Sequence, residues 1–434
     1  MMKTAPYWWE NAAPFGDRRG DPPAALPAQC DVVIVGAGLT GCSAALTLAR
    51  AGKDVVALDA QRPGWGASTR NGGMIGGGYR LSHQQMVEKY GAQTAHRLLV
   101  ESHVDSLEFA VSRIRDEGID CDYHRYGRFR GQWNRAEYDA TARSLDDLRK
   151  LVAVNIDMVP PEAQRAEIGS DLYSGGMLLH DHGGLHPGKY MMGMALAAER
   201  AGARLFGHTA VRDVRPAGSG FAVATARGEI RAAAVLMATN GYTTPDFAKL
   251  KRRMIPVSSF LIATEELPEG MADDLMPGRR MCVETRNRHC YFRLSPDGRR
   301  LVLGGRAAMN RVSLARSARV LHGLLGEIFP QTRTLKLSHS WTGHTGFTFS
   351  FMPHIGRLDG IWHAMGYSGS GNAMAPYLGH KAALLMMGDP AGETAFTETT
   401  LETRFWYRKT PWFLPFAHQL YRIADRRDDR ARAR

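Results

Sequence analysis

The sequence predicts an α/β protein with two interleaved domains. Residues 31–35, Asp-Val-Val-Ile-Val, form an apolar β-branched run that is typical of a strand buried on both faces of a parallel sheet. A helix is predicted over 39–51 and a second buried strand over 54–59, which gives the order strand–helix–strand. A strand at 361–365 and a helix from 371 to about 387 follow near the other end of the chain. These observations predict a Rossmann-type domain assembled from separate pieces of the sequence.

The middle of the chain is mixed and predicts a second domain of the α+β class with an antiparallel sheet. Helical periodicity covers about 81–118 and 135–152, and Pro187 is expected to open a further helix because proline is tolerated in a first turn. Short strands are predicted over 204–214, 220–226, 229–238, 254–263, 290–294 and 301–305. Residues 61–79 are predicted to form a glycine-dense loop, and residues 1–29 an extended arm on the surface.

Composition and charge place the chain among ordinary globular proteins, with 44% hydrophobic and 23% charged residues. The formal net charge of +12 can attract nucleic acid, acidic membranes or anionic small molecules. Part of this excess lies in the arginine-rich tail 426–434, in which no aromatic residue is interleaved. We interpret the tail as a frayed, solvated end, and no nucleic-acid partner is expected.

Cysteine usage and the apolar stretches indicate the compartment. The five cysteines form no CxxC pair and have no histidine partner at metal spacing, so no metal site and a reducing compartment are expected. The N-terminus lacks the apolar run of a signal peptide. The uncharged stretches 337–356 and 361–380 are too rich in Gly, Ser, Thr and His to span a bilayer. A soluble, cytoplasmic protein is expected.

A dinucleotide-binding site is predicted where the first strand meets the first helix. Gly36-Ala37-Gly38-Leu39-Thr40-Gly41 is a G-x-G-x-x-G motif, and Asp59 ends the next strand. Gly36 permits the tight turn, Gly38 lets the backbone approach the pyrophosphate, and Gly41 allows close helix–sheet packing. The helix N-terminus attracts phosphates, and Asp59 can accept hydrogen bonds from a ribose. The motif leaves NAD, NADP and FAD open, and a glycine-rich turn in an unrelated α/β protein is the alternative.

The loop after Asp59 helps to distinguish between these three cofactors. Residues 64–74 read Gly-Trp-Gly-Ala-Ser-Thr-Arg-Asn-Gly-Gly-Met. Here the chain resembles the D-amino-acid-oxidase (DAO) family of FAD enzymes, and within it the γ-glutamylputrescine oxidase-like group, whose loop reads G-A-S-x-R-N-G-G. Further matching segments, in family order, are 238–242, 291–293 with 297–299, and 352–357 leading to 366–371.

The resemblance implies FAD as the cofactor and a set of residues beside it. With the motif residues, the expected cofactor-binding set is Gly36, Gly38, Leu39, Thr40, Gly41, Asp59, Ala60, Gly66, Ala67, Ser68, Arg70, Asn71, Gly72, Gly73, Met74, Val211, Thr239, Asn240, Gly241, Gly343, Gly366, Tyr367, Ser368, Gly369, Ser370, Gly371 and Asn372. Val211 is implied to meet the adenine through its backbone, from within a strand that includes His208. The implied FAD-binding domain comprises 1–80, 155–245 and 355–390, the substrate-binding domain comprises 81–154 and 246–354, and 391–434 is a C-terminal extension with a basic tail.

Two features concern the flavin ring. Residues 369–372 open the last predicted helix, and its N-terminus is expected to stabilise the negative charge of a reduced flavin, with Asn372 as a candidate cap. A plain turn before a core helix is the alternative. FAD is expected to be non-covalent, because Trp341 stands where a cysteine attaches flavin in the sarcosine oxidase branch and 61–78 contains no histidine. The chain departs from relatives in having Asp59 for a frequent Glu, and Gly369-Ser370-Gly371 where a His is common.

The family's reaction passes two electrons from an amine-bearing carbon to flavin N5 and gives an imine, which water hydrolyses to a carbonyl. The expected substrate is an amine or amino acid, with O2 as acceptor and H2O2 as product. A dehydrogenase that reduces a quinone or a protein is the alternative, because Lys249, Lys251 and Lys336 cannot be placed near the flavin from sequence. A flavin-containing nucleic-acid-associated protein is a third possibility that only the charge favours. No catalytic residue is assigned.

The segment 290–298 bears on the substrate. Aligning its Asp-Gly turn with the glycine oxidase branch puts Ser295 where amino-acid-oxidising relatives have an arginine for the substrate carboxylate. Arg293 lies on the same face of the strand, about 6.6 Å away. We hypothesise that Tyr291 and Arg293 line the substrate pocket and that Trp341 forms one wall, which favours a long anionic amine such as a γ-glutamylated or carboxyalkyl amine. An interdomain salt bridge of Arg293 and a plain core role for Trp341 are the alternatives.

Overall fold

The computed structural model describes residues 2–14, 25–79, 81–287, 289–305, 312–408 and 410–432. The strands are β1 (Gln29–Val35), β2 (Val55–Leu58), β3 (Met74–Ile75), β4 (Arg128–Gly131), β5 (Ile156–Val159), β6 (Gly176–Leu179), β7 (Gly183–Gly184), β8 (Arg204–Phe206), β9 (Val211–Ala217), β10 (Gly220–Thr225), β11 (Gly228–Met237), β12 (Ile255–Thr264), β13 (Met281–Glu284), β14 (Tyr291–Leu294), β15 (Leu301–Gly305), β16 (Leu337–Phe347), β17 (His354–Leu358) and β18 (Ile361–Met365). The α-helices are α1 (Leu39–Arg50), α2 (Ala67–Arg70), α3 (His83–Tyr90), α4 (Ala92–Val100), α5 (Ser106–Asp116), α6 (Arg135–Leu151), α7 (Pro187–Arg200), α8 (Ala248–Lys251), α9 (Met271–Leu275), α10 (Leu314–Ile328), α11 (Gly371–Met387) and α12 (Leu414–Arg432).

The first sheet carries the predicted Rossmann-type unit. Its strand order is β17-β18-β11-β1-β2-β8, and the pairs from β18 to β8 are parallel. β9 and β10 extend from β11 as an antiparallel hairpin. Val33 and Ile34 in β1 are fully buried, as expected for a β-branched strand covered on both faces. The predicted strand–helix–strand start is confirmed, and so are the strand and helix near the other end of the chain.

The second sheet has the order β16-β12-β15-β14-β13-β4-β6-β5. Neighbouring strands are antiparallel except β13 and β4, which are parallel. The predicted α/β fold with a second, largely antiparallel sheet is therefore confirmed. β16 pairs with β12 over almost its whole length, from Leu337 opposite Thr264 to Phe347 opposite Ile255.

Some elements differ from the prediction. The strand predicted over 204–214 is two strands, because His208 has a φ of 51° and the backbone there turns towards the end of β2. Sequence patterns did not predict β4, β5, β6, β16, α10 or α12. The first three are only four residues long. β16 is rich in polar residues and glycines, and it is extended because it pairs with β12 and not because of local propensity.

Both ends of the chain are more structured than predicted. Residues Tyr7–Glu10 form a 3₁₀ turn, and Tyr7 and Trp8 are buried, so this part of the arm enters the core; residues 15–24 lie outside the described ranges. The tail predicted as frayed belongs, as far as Arg432, to α12. Across the described ranges, none of the helices combines the length and apolar character that a membrane crossing needs.

The predicted domain boundaries stay a prediction, and strand pairing suggests one change. β5 and β6 lie in the predicted 155–245 piece but pair in the second sheet. Leu98 in α4 and Leu107 in α5 lie in the predicted 81–154 piece but pack in one core cluster with α1 and α11. We therefore propose that β5 and β6 belong to the second domain and that α4 and α5 belong to the first.

Candidate cofactor and substrate site

The turn from β1 into α1 leaves room only for glycine at two positions. Gly36 has a φ of 103°, and a Cβ atom there would lie 2.9 Å from the carbonyl oxygen of Ala238. A Cβ atom at Gly41 would lie 2.0 Å from the carbonyl oxygen of Gly36. The close packing of helix on sheet therefore depends on these glycines, which places the N-terminus of α1 at the end of β1.

Asp59 follows β2 and faces the same turn. Its Oδ2 accepts the N–H of Ala37 at 3.0 Å, and its Oδ1 accepts the N–H of Gln61 at 2.9 Å. Burial raises the pKa of the Asp59 carboxyl, and the two backbone hydrogen bonds oppose that rise. The carbonyl oxygen of Asp59 accepts the N–H of Thr209, which holds the segment leading to Val211 at this edge. Val211 itself opens β9 and is buried.

The loop that contains α2 closes over the start of α1. Ser68 Oγ accepts the N–H of Leu39 at 3.1 Å and lies 2.8 Å from the place that a Cβ atom on Gly38 would take. Gly38 is the N-cap and has no side chain to satisfy the first turn, so the Ser68 hydroxyl contributes an acceptor there. Asn71 Oδ1 accepts the N–H of Gly73, which fixes the turn that follows α2.

Three tryptophans hold three consecutive residues of this loop. Nε1 of Trp9 donates to Thr69 Oγ1 at 3.0 Å, Nε1 of Trp341 donates to the Arg70 carbonyl at 3.0 Å, and Nε1 of Trp8 donates to the Asn71 carbonyl at 2.8 Å. Trp8 and Trp9 were not among the residues predicted from the sequence. Their only signal was an aromatic-rich arm, which does not indicate a partner 60 residues away in the chain.

Arg70 lies within the same group of aromatic side chains. Its guanidinium lies 4.1 Å from the ring centre of Trp65 and 4.6 Å from that of Trp9. Nε donates to the Trp65 carbonyl, and Nη1 donates to the Thr342 carbonyl in β16. Burial lowers the pKa of Arg70 from its ordinary value. Arg70 therefore joins the loop to the second sheet.

The N-terminus of α11 faces open space. A Cβ atom at Gly369, where φ is 113°, or at Gly371 would meet no atom within 4 Å. Asn372 is not the helix cap, contrary to the prediction, because it lies inside the first turn after the N-cap Ser370. Its Nδ2 donates to Asn71 Oδ1 and to the Met74 carbonyl, both at 2.9 Å. The amide of Asn372 thus holds this helix end against the loop after α2.

Buried hydrogen bonds join the strand ends around the two helix N-termini. Tyr367 Oη and Thr40 Oγ1 lie 2.7 Å apart, which ties the end of β18 to α1. Asn240, with a φ of 43°, accepts the N–H of Gly366 at 3.0 Å. The remaining predicted cofactor-binding residues lie nearby. Ala67 is the first residue of α2, and Gly343 lies within β16. The others lie in neighbouring loops and turns: Ala60, Gly66, Gly72, Thr239, Gly241 and Ser368.

Tyr291 and Arg293 reach this loop from the second sheet. Gly72 packs so closely on the Tyr291 ring that a Cβ atom would lie 2.6 Å from it, and the Tyr291 hydroxyl lies 3.0 Å from Ser259 Oγ. Arg293 is buried, and its Nη1 donates to the carbonyls of Gly73 at 2.7 Å and Leu185 at 2.9 Å. Its Nε donates to the carbonyl of the next residue, Leu294, at 2.8 Å.

Two consequences concern the substrate-side predictions. Burial lowers the pKa of Arg293 to about 10, so the guanidinium stays charged at neutral pH. The carbonyls of Gly73 and Leu185 belong to other segments, but they carry no formal charge, so Arg293 forms no salt bridge with them. Trp341 is fully buried beside Leu261 and Val302. The roles of Tyr291, Arg293 and Trp341 towards a substrate stay predictions.

The fold and the two helix N-termini define a dinucleotide-binding protein of the Rossmann class. Residues 31–385 match the DAO family, described as FAD dependent oxidoreductase. The chain is 35% identical to Gamma-glutamylputrescine oxidoreductase of Escherichia coli (strain K12), over 85% of this chain and 86% of that protein. It is 30% identical to Probable oxidoreductase OrdL of Haemophilus influenzae (strain ATCC 51907 / DSM 11121 / KW20 / Rd), over 86% of this chain and 88% of that protein.

Among solved structures, glycine oxidase from Geobacillus kaustophilus superposes with a TM-score of 0.71 at 22% identity, over 87% of this chain and 99% of that chain. L-proline dehydrogenase from P. horikoshii gives a TM-score of 0.69 at 20% identity, over 91% and 99%. These similarities are to the fold. The chain belongs to the DAO family of FAD-dependent oxidoreductases, which confirms the family resemblance and the FAD cofactor.

Proposed function

We propose that this enzyme oxidises the C–N single bond of an amine or amino acid to an imine, which water hydrolyses to a carbonyl. The observation that carries the proposal is that two parts of the molecule meet at the loop 71–74. The open N-terminus of α11 is bound to Asn71 through Asn372, and Tyr291 packs on Gly72 from the second sheet. One loop therefore joins a cofactor-side helix end to the strand that we predict to line the substrate pocket.

Several of the residues described above have a proposed role towards FAD, which supplies a two-electron acceptor when it is bound. The N-terminus of α1 binds the pyrophosphate, and Asp59 accepts hydrogen bonds from the ribose. The N-terminus of α11 would hold the flavin ring, and its partial positive charge would favour the negative charge that the ring gains on reduction. The cofactor is non-covalent, and Trp341 orders the loop through Arg70.

The proposed substrate is a long amine with an anionic end, such as a γ-glutamylated amine. The support is the 35% identity to a gamma-glutamylputrescine oxidoreductase. Because three of the Arg293 hydrogen bonds go to backbone carbonyls, we propose that Arg293 acts mainly as a positioning residue, which fixes Gly73 beside Tyr291. This replaces direct recognition of the substrate anion as the main role of Arg293.

The proposed electron acceptor is O2, with H2O2 as product. A dehydrogenase remains the second candidate, and the lysines favour keeping it. Lys249 forms an ion pair with Asp359 at the surface, and Lys336 is exposed just before β16. Neither the ion pair of Lys249 nor the exposed position of Lys336 supports the lysine-promoted reduction of O2 that relatives often use.

Turnover with a substrate panel tests the proposal. The panel contains free amines, D- and L-amino acids, and γ-glutamylated amines, each assayed for peroxide in air and for reduction of a dye under nitrogen. We expect turnover with a γ-glutamylated amine that exceeds turnover with the free amine. Peroxide in air favours the oxidase, and dye reduction without peroxide favours the dehydrogenase. No turnover of any amine with either acceptor, by protein that retains FAD, would overturn the proposed reaction.

A further inference from the structure

The end of the chain carries a contiguous apolar surface that lies beyond the segment matching the family, which ends at residue 385. Six large apolar side chains there are exposed: Phe405 (85%), Trp406 (38%), Trp412 (55%), Phe416 (67%), Leu420 (67%) and Ile423 (48%). We call these six residues the C-terminal aromatic patch. Elsewhere in the described ranges, only Val320 is a large apolar side chain of similar exposure. Scattered single residues are normal on a surface, whereas a cluster indicates a binding face.

The patch is continuous across the turn that precedes α12. The ring centres of Trp406 and Trp412 lie 5.8 Å apart, and those of Trp412 and Phe416 lie 6.3 Å apart. Leu420 and Ile423 continue from Phe416 at spacings of four and three residues, which puts all three on one face of the helix.

The opposite face of α12 already packs on the protein. Leu414 is buried, and Ala417 and Tyr421 pack with it against the cluster that contains Phe347. Asp425 is buried, and its Oδ1 accepts the backbone and side-chain N–H groups of Asn287 at 2.9 and 3.1 Å. A surface helix normally turns polar residues outward, but α12 exposes the apolar side chains of Phe416, Leu420 and Ile423. That outer face therefore fits a second apolar environment.

The charge near the patch identifies that environment. Residues 401–434 contain nine Lys and Arg against four Asp and Glu. Beyond Ile423, the same helical spacing reaches sequence positions 427 and 430, and both are arginine. Exposed aromatic side chains next to a basic stretch of sequence are typical of a helix that lies in the plane of an anionic membrane surface. Two copies of the chain paired through this face would instead bring like charges together.

We propose that the C-terminal aromatic patch docks the enzyme on an anionic lipid surface. Trp406, Trp412 and Phe416 enter the interface between headgroups and acyl chains, where amphipathic rings are favoured. The net positive charge of residues 401–434 attracts the anionic headgroups. The packed face of α12 keeps the catalytic domains attached to the bound helix.

Flotation of the full-length holoenzyme with vesicles tests the proposal. One set of vesicles is phosphatidylcholine, and the other contains about a third phosphatidylglycerol. We expect binding to the anionic vesicles that exceeds binding to the neutral ones several-fold and weakens as NaCl rises from about 0.1 M to about 0.5 M. The triple variant Phe416→Ser/Leu420→Ser/Ile423→Ser should bind at least about tenfold more weakly, because it removes three of the six large apolar side chains of the patch.

Val320→Ser is the matched control, since it removes an exposed apolar side chain elsewhere, and it should bind like the wild type. FAD content and melting temperature check that the variants are folded. If the triple variant does not fold, quenching of tryptophan fluorescence by brominated lipid replaces it, and Trp406→Phe/Trp412→Phe should lose most of the quenching. The proposal would be overturned if the wild-type protein did not bind anionic vesicles, or if the triple variant bound them as well as the wild type does. It would also be overturned by a solution dimer that the triple variant converts to monomer without any vesicle binding, because the patch would then be a self-interface.

Discussion

The two sides of the candidate site are built in different ways. On the cofactor side, the start of α1 and the start of α11 offer glycines and backbone N–H groups, and Asp59 is held by neighbouring amides. On the substrate side, Arg293 and Trp341 are buried, and their donors reach backbone carbonyls of loops that are far away in sequence. The cofactor side therefore presents mainly backbone groups and glycines, whereas the substrate side depends on buried side chains that reach distant loops.

The two sides should therefore respond differently to mutation. A change at Gly38 should remove ligand binding while the fold persists, because a Cβ atom there meets only the side chain of Ser68. A change on the substrate side should alter stability and kinetics together, because the same side chains that border the predicted pocket also hold the loop 71–74 in place.

The largest expected effect is that of Gly38→Val. The branched side chain would meet Ser68 Oγ, which lies 2.8 Å from the Cβ position, and would fill the space expected for the pyrophosphate. We expect purified protein that has lost essentially all FAD. Gly323→Ala in α10 is the matched control, since a Cβ atom there meets no atom within 4 Å, and it should stay fully yellow. Stoichiometric FAD in a folded Gly38→Val variant would contradict the assignment of α1.

Arg293→Met should show the coupled behaviour of the substrate side. It removes the guanidinium donor from the buried carbonyls of Gly73 and Leu185, although Gly73 keeps the N–H of Leu185 as a second donor. The free energy of unfolding should therefore fall by about 1–3 kcal/mol. Because the loop beside Tyr291 is then less well held, KM for the best carboxylate-bearing substrate should rise about tenfold or more. Arg293→Lys, which keeps a charged donor, should recover part of both losses. If both the urea midpoint and KM were unchanged, Arg293 would neither stabilise the loop nor affect the substrate site.

Asp59→Ala should weaken FAD binding about tenfold without a large loss of fold, since it removes the proposed acceptor for the ribose. Asp59→Asn should fall between wild type and Asp59→Ala, because the amide keeps only one of the two acceptor oxygens that bind Ala37 and Gln61. Fluorescence titration of the apoprotein with FAD measures all three affinities. Equal affinity in wild type and Asp59→Ala would show that the ribose lies elsewhere.

The smallest effect concerns His186, the N-cap of α7. Its Nδ1 accepts the N–H of Lys189 at 3.1 Å, and burial lowers its pKa to about 4. The unfolded chain, with a pKa near 6.5, binds the proton more tightly, so the contribution of His186 is complete above about pH 6.5 and is lost as the pH falls towards about 4. This one group adds a slope of at most about 1.4 kcal/mol per pH unit.

His186→Asn keeps a capping acceptor but cannot titrate, so urea unfolding of this variant should depend less steeply on pH in that window. His96→Asn on α4, where the histidine is exposed, serves as the control and should follow the wild type. A slope unchanged by His186→Asn would show that its neutral form does not support α7.

The same contrast explains what could be predicted from sequence. The β1–α1–β2 unit and the strand and helix at the far end were predicted to within about two residues, since β-branched runs and glycines act locally. Trp8 and Trp9 could not be found, because their role depends on hydrogen bonds to Asn71 and Thr69, some 60 residues away. The length of β16 likewise comes from its partner β12 and not from its own composition.

Arg293 shows where a correct local prediction stops. Its strand and its position on the face shared with Tyr291 follow from alternation along β14. Its buried contacts with Gly73 and Leu185 depend on how the two sheets meet, which no pattern within 290–298 reports.

The most direct test of the proposed reaction is the single-turnover reduction of bound FAD under nitrogen, with the best amine substrate carrying hydrogen or deuterium on the reacting carbon. The visible flavin absorption should bleach, the deuterated substrate should react several-fold more slowly, and the rate should rise with pH along one ionisation as the substrate amine loses its proton. Bleaching at the same rate with both isotopes would contradict cleavage of that C–H bond as the step that reduces the flavin.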